Sequence, residues 1–138
     1  MSKLNVNYIA IAVAAVSNMI IGFLWYSPLL FGKPWMKLSG FTEKSMEEAK
    51  KGMGKMYALS FVIALVMAYV LAFFVSMTNV MTITDGITLA FWTWLGFVAT
   101  VKMADMLYGK KPLQLYLIES GYYLVALVVM AIILVSIT

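Results

Sequence analysis

The chain contains no cysteine, no histidine and no arginine among its 138 residues. Without cysteine it has neither disulfides nor thiolate chemistry. Without both cysteine and histidine, zinc sites of the usual kinds and histidine acid–base catalysis are excluded. A metal site would need oxygen ligands, and only six carboxylates are present. Charge is scarce, at 12% of residues, against about a quarter in a typical soluble domain. Apolar residues make up 64%, and the mean hydropathy is +0.95. The net charge of +4 comes from ten lysines. In a chain this apolar, the basic balance points to anionic lipid and a topology bias, not to nucleic acid.

Four apolar runs cover about 8–26, 56–77, 83–107 and 113–137. Each is long enough to cross about 30 Å of hydrocarbon as a helix. Helices are the expected form, because lipid cannot satisfy backbone polar groups. The alternation of a barrel strand is absent. The fold predicted is an all-α, four-helix transmembrane domain in two hairpins, with no room for a separate soluble domain. The first run continues into WYSPLL with no small-residue cleavage site. It therefore reads as a retained span, not a signal peptide.

Lysines give the orientation. The N-terminal tail carries Lys3, and the second loop carries none. The first loop carries Lys33, Lys37, Lys44, Lys50, Lys51 and Lys55, and the third connection carries Lys110 and Lys111, with Lys102 nearby. The split predicts loops one and three in the cytoplasm and both termini outside. Within loop one, Thr42 is placed to cap a short amphipathic helix over about 43–51. Phe41 and Met46 stand at the positions of a hydrophobic staple. Met46, Ala49 and Met53 share a face, suiting the helix to a lipid surface or to a docked partner. Gly52 and Gly54 are expected to end it. LFGKP at 30–34 returns as LYGKKP at 107–112. This suggests two hairpins of parallel topology, although any turn favours Gly, Lys and Pro.

Small or polar residues recur every fourth position in the first span (Ala10, Ala14, Asn18, Gly22) and in the second (Ser60, Ala64, Ala68, Ala72, Ser76). Such stripes let helix backbones approach closely. Leu71 is expected on the opposite, lipid-facing side. Intramembrane charges are functional candidates. Lys102 and Glu119 lie at similar distances from the third turn, and Asp105 is three residues beyond Lys102. A Lys102–Asp105–Glu119 cluster is predicted, with Tyr116, Tyr122 and Tyr123 beside it. Asn18 and Tyr69 lie near the middle of their spans. The cluster reads either as a snorkelling lysine that staples one hairpin or as part of an ion path. Trp92 and Trp94 lie too deep for a simple interfacial belt.

The stretches YIAIAVAAVSNMIIGFLWYSPLLFGKPWMKLSG, YALSFVIALVMAYVLAF, FWTWLGFVAT and KPLQLYLIESGYYLV together resemble the integral-membrane family of domain of unknown function 1761, most specifically in WYSPLLFGK. The resemblance implies four spans in a prokaryotic inner membrane and supplies no activity. It also implies an amide at 119 and a histidine at 123 in many members, where this chain has Glu119 and Tyr123. The functional expectation is a small homo-oligomeric transporter or channel-like protein in the lipid bilayer, with no cofactor and an unidentified small-molecule or ion substrate. The alternative is a non-catalytic interaction or assembly protein. An enzyme is not expected, since no serine stands near Lys102 to replace the absent histidine and cysteine.

Overall fold

Two of the four long helices start at a side chain that caps their unpaired amides. Helix α1 (Tyr8–Trp25) is capped by Asn7, whose side-chain oxygen accepts from the amides of Ile9 at 3.0 Å and Ala10 at 3.2 Å. The computed structural model describes residues 7–40 and 42–137, and the side chains of residues 43, 46 and 49 are outside that description. Lys3, Phe41 and the Met46 and Ala49 side chains are thus outside the described residues, and so is the predicted staple.

Two short helices follow α1: α2 (Gly32–Leu38) and α3 (Glu43–Lys50). The sequence reading placed one helix in this loop; α2 is additional. Thr42 caps α3 reciprocally with Ser45. The Ser45 amide donates to Thr42 Oγ1 at 3.1 Å, and the Thr42 amide donates to Ser45 Oγ at 2.8 Å. The second span, α4 (Met53–Met77), starts at Gly52 and contains Gly54 in its first turn, so Gly54 does not break the chain. The third span runs from Ile83 to Gly109. It consists of α5 (Ile83–Trp94), a π-helical turn (Leu95–Ala99) and α6 (Thr100–Gly109). Thr82 caps it by accepting from the Asp85 amide at 3.1 Å. Lys110 then adopts a left-handed conformation with φ 53°, and Pro112 precedes α7 (Leu113–Ser136), the fourth span. The two Gly-Lys-Pro turns therefore differ: one ends a span at Gly109, the other begins α2 at Gly32.

All four long helices are apolar enough to cross a membrane, and the protein is an all-helical membrane protein. Helix α7 is the hub. It packs on α1, on α5 and, more lightly, on α4, while α4 packs on α1. Asn7 Nδ2 donates to the Ile137 carbonyl at 2.6 Å, fastening the start of α1 to the end of α7.

The core is built largely from small residues. Ala10 and Ala14 of α1 and Ala64, Ala68 and Ala72 of α4 join Leu127, Met130, Ala131 and Leu134 of α7 in one cluster. Asn18 is buried beside them, Gly22 and Ser76 are half-buried, and Ser60 is exposed. The second stripe therefore stops short of its first member. Leu71 is 3% exposed and belongs to the core, contrary to the lipid-facing expectation. Periodicity fails there because an apolar residue suits both lipid and core. Ala68 has no exposed surface, whereas Val66 is 58% exposed. Ala68→Leu is expected to destabilise the protein by about 1–3 kcal/mol through overpacking. Val66→Leu should melt as wild type does. Equal melting temperatures in detergent for all three proteins would show that the stripe is not a close contact.

Candidate functional site

The third and fourth spans are held in register by polar bonds between them. The Trp94 indole donates to the Ser120 carbonyl at 2.8 Å, and the Tyr116 hydroxyl donates to the Ala99 carbonyl at 3.1 Å. The π turn sets what comes next. Eight residues along a regular helix turn through 800°, about 80° past a whole number of turns. A π turn absorbs one extra residue, so Trp94 and Lys102 fall within roughly 20° of each other. Both therefore face α7. Lys102 lies seven residues before Gly109, and Glu119 lies six after Leu113, roughly 10 Å into each helix. At this shared depth, Lys102 Nζ lies 3.2 Å from Glu119 Oε2, with side chains 29% and 18% exposed.

Asp105 does not join them. Its carboxylate accepts from Lys111 Nζ at 2.8 Å, at the exposed end of the hairpin. The left-handed Lys110 turns the chain back so that Lys111 overlies α6, while Lys102 is drawn across to α7. The predicted three-residue cluster is therefore two separate ion pairs. The Asp105 hydrogen bond, and then its charge, hold the Lys111 pKa above the usual lysine value. This pair lies at the surface and is screened, so it contributes little.

The remaining neighbour of Glu119 comes from α2. After Trp25 the chain reverses: the Phe31 amide donates to the Trp25 carbonyl and the Gly32 amide to the Ser27 carbonyl, both at 2.9 Å. A β-carbon on Gly32 would lie 2.4 Å from the Tyr26 carbonyl oxygen, so only glycine fits. This reversal lays α2 against α7 and brings the Trp35 indole to 3.4 Å from Glu119 Oε1 as donor. The Trp25 indole donates to the Ile118 carbonyl at 2.9 Å, and its ring rests where Gly121 leaves space.

From Trp35 the contacts continue ring to ring. Trp35 meets Tyr26 at 5.4 Å between centroids, Tyr26 meets Tyr122 at 5.5 Å, and Tyr122 meets Tyr123 at 4.9 Å. Lys102 Nζ sits 5.6 Å over the Tyr123 ring. Six side chains thus close a loop: Glu119, Trp35, Tyr26, Tyr122, Tyr123 and Lys102. The Tyr122 hydroxyl also donates to the side-chain oxygen of Asn18, extending the polar contacts along α1. Asn18 is 4% exposed, and its amide points at the sulfurs of Met67 and Met130, at 3.7 and 3.5 Å.

Of the predicted residues, the structure brings together Lys102, Glu119, Tyr122, Tyr123 and Asn18. Tyr116 serves the π turn, and Tyr69 is 46% exposed. Trp92 is 62% exposed. Ser120 Oγ donates to the Tyr116 carbonyl at 2.7 Å. Sequence reasoning did not place Trp25, Tyr26 or Trp35 beside the cluster, and it reads Trp25 and Tyr26 only as anchors at the membrane interface. Four aromatics lie within Trp25–Trp35 around Pro28 and Gly32, denser than a plain connector needs, and that was the available signal.

Two cavities lie elsewhere. One, of about 260 Å³, opens at the opposite end between Asn7, Ala10, Ala72, Ser76, Asn79 and Leu134. The other is an apolar groove of about 590 Å³ between α4 (Val62, Val66, Val70) and the third span (Thr93, Phe97, Val98), floored by Leu127. Among the described residues, no group of three or more acidic side chains could hold a metal ion.

No curated protein and no solved structure is significantly similar to the chain. The model of one family, described as Protein of unknown function (DUF1761), matches residues 9–135. That match spans nearly the whole chain and all four long helices, so the protein belongs to the DUF1761 family.

Proposed function

We propose that the protein carries a small cation across the membrane along the inner face of α1. One observation carries this reading. Asn7, Ala10, Ala14, Asn18 and Gly22 recur at steps of three and four, so they share one face of the helix. That face begins at the 260 Å³ cavity and passes the buried Asn18. Beside Gly22 it meets the Tyr122 hydroxyl and so the Glu119 loop. In this reading the close-packed stretch from Ala14 to Asn18 is the constriction and Glu119 the charged end of the route. Intramembrane carboxylates commonly mark such routes.

Proteoliposomes under an imposed inside-negative potential test the proposal. The decay of that potential in a mixed-cation buffer is expected to be faster than in empty liposomes. Asn18→Leu should slow it at least tenfold, while Phe23→Leu, on the exposed face, should not. Wild-type liposomes no leakier than empty ones would refute the reading.

The apolar groove between α4 and the third span favours a second reading, assembly of two copies of this chain without transport. Four helices enclose little cavity alone, and a second copy would cover Val62, Val66 and Val70. The chain has no cysteine, so Val66→Cys is its own reporter. Oxidation should give a disulfide-linked dimer in membranes if the groove is the interface. A monomer throughout would refute it.

A further inference from the structure

The loop around Glu119 has an unusual content: one carboxylate, one ammonium and four aromatic side chains. A carboxylate beside aromatic faces is the chemistry that recognises an organic ammonium ion. The carboxylate supplies the charge, and the ring faces replace water around the alkyl part. Such an ion is already present. The Lys102 ammonium lies against Glu119 Oε2 at 3.2 Å and over the Tyr123 face at 5.6 Å. It arrives on a flexible four-carbon stem and keeps 29% of its side chain exposed. A lysine roughly 10 Å from its helix end can swing its ammonium part of the way outward, toward the interface. Trp35 is held from outside the four spans by α2, so one wall of the loop is a strap and not a span.

Resting on the transport reading, we propose that this loop binds a small primary alkylammonium ion and that the Lys102 ammonium is its resident competitor. The ligand takes the place of Lys102 between Glu119 and Tyr123, and Lys102 withdraws toward the interface. The aromatic walls favour a short alkyl chain over a bare metal cation, because an alkyl chain can cover the rings.

The probe is n-propylammonium, which reproduces the part of the lysine side chain that Lys102→Ala removes. The full-length protein in detergent is titrated while its melting temperature and tryptophan fluorescence are followed. Propanol serves as the uncharged analogue, and sodium chloride matches ionic strength. Lys102→Ala should show a saturable rise in melting temperature with propylammonium, at a concentration at least tenfold below that needed by wild type. Wild type should also saturate, at the higher concentration. Glu119→Gln, alone or combined with Lys102→Ala, should abolish both responses.

A response shared by propanol, or retained without Glu119, overturns the proposal. A response confined to Lys102→Ala overturns it too, because the native loop then never opens to a ligand. Should Lys102→Ala not fold, the comparison of wild type with Glu119→Gln decides alone. Binding in detergent and flux in liposomes are separate readouts. Flux without amine binding refutes this assignment only, and amine binding without flux refutes the transport reading only.

Discussion

Gly32→Ala is expected to lower stability by about 3 kcal/mol, the upper end for overpacking, and to detach α2 from the fourth span. The added β-carbon would lie 2.4 Å from the Tyr26 carbonyl oxygen and 2.8 Å from Ser27 backbone atoms. Backbone cannot rotate away as a side-chain tip can. The reversal must therefore open, and the bond from the Gly32 amide to Ser27 opens with it. Trp35 then leaves Glu119, and Tyr26 loses one of its two partners in the loop. A melting-temperature drop together with a red-shifted tryptophan spectrum is the expected result. Gly52→Ala is the control, because a β-carbon there meets nothing within 4 Å. If Gly32→Ala melts and fluoresces like Gly52→Ala, the reversal does not hold Trp35 in place.

Lys102→Met should cost about 3 kcal/mol, the low end for breaking a buried pair, because both side chains keep some exposure. The methionine keeps the stem and removes the charge, which leaves Glu119 among aromatic rings without its cation. Lys102→Met combined with Glu119→Gln should be more stable at neutral pH than Lys102→Met alone. Thermal melts of the four proteins in a double-mutant cycle measure the coupling. Additive effects would mean that the 3.2 Å pair contributes nothing. Asp105→Asn, at the exposed pair, should leave the melting temperature unchanged.

The four spans were legible because lipid imposes one simple demand, about 20 apolar residues per helix. The meeting of Lys102 and Glu119 was legible for a similar reason: both are counted from one tight turn, and counting gives depth. The position of Asp105 was not. It depends on the π turn, which shifts the face that α6 presents, and on a left-handed Lys110, and neither leaves a pattern in hydropathy. Trp35 was hidden because its approach to Glu119 runs through a chain reversal fixed by the closeness of Gly32 to Tyr26, a contact no local spacing records. The burial of Leu71 was missed because apolar residues in a membrane helix do not separate inside from outside. Only the small residues carry that information, and Ser60 shows that even they end without notice.

The central place of α7 also bears on how the protein is made. A ribosome delivers α1 and α4 first, and these can pair through their alanines as soon as both have entered the bilayer. The third span comes next, but the helix it packs on is α7, still to be synthesised. Until that 24-residue helix is inserted, Lys102 lies in lipid ahead of the carboxylate that will neutralise it. The same helix later brings Ile137 to Asn7, so the end of the fourth span closes on the start of the first. A nascent chain cut short in the fourth span therefore lacks more than a quarter of a bundle. It holds an α1–α4 pair, an orphaned third helix and a stranded cation.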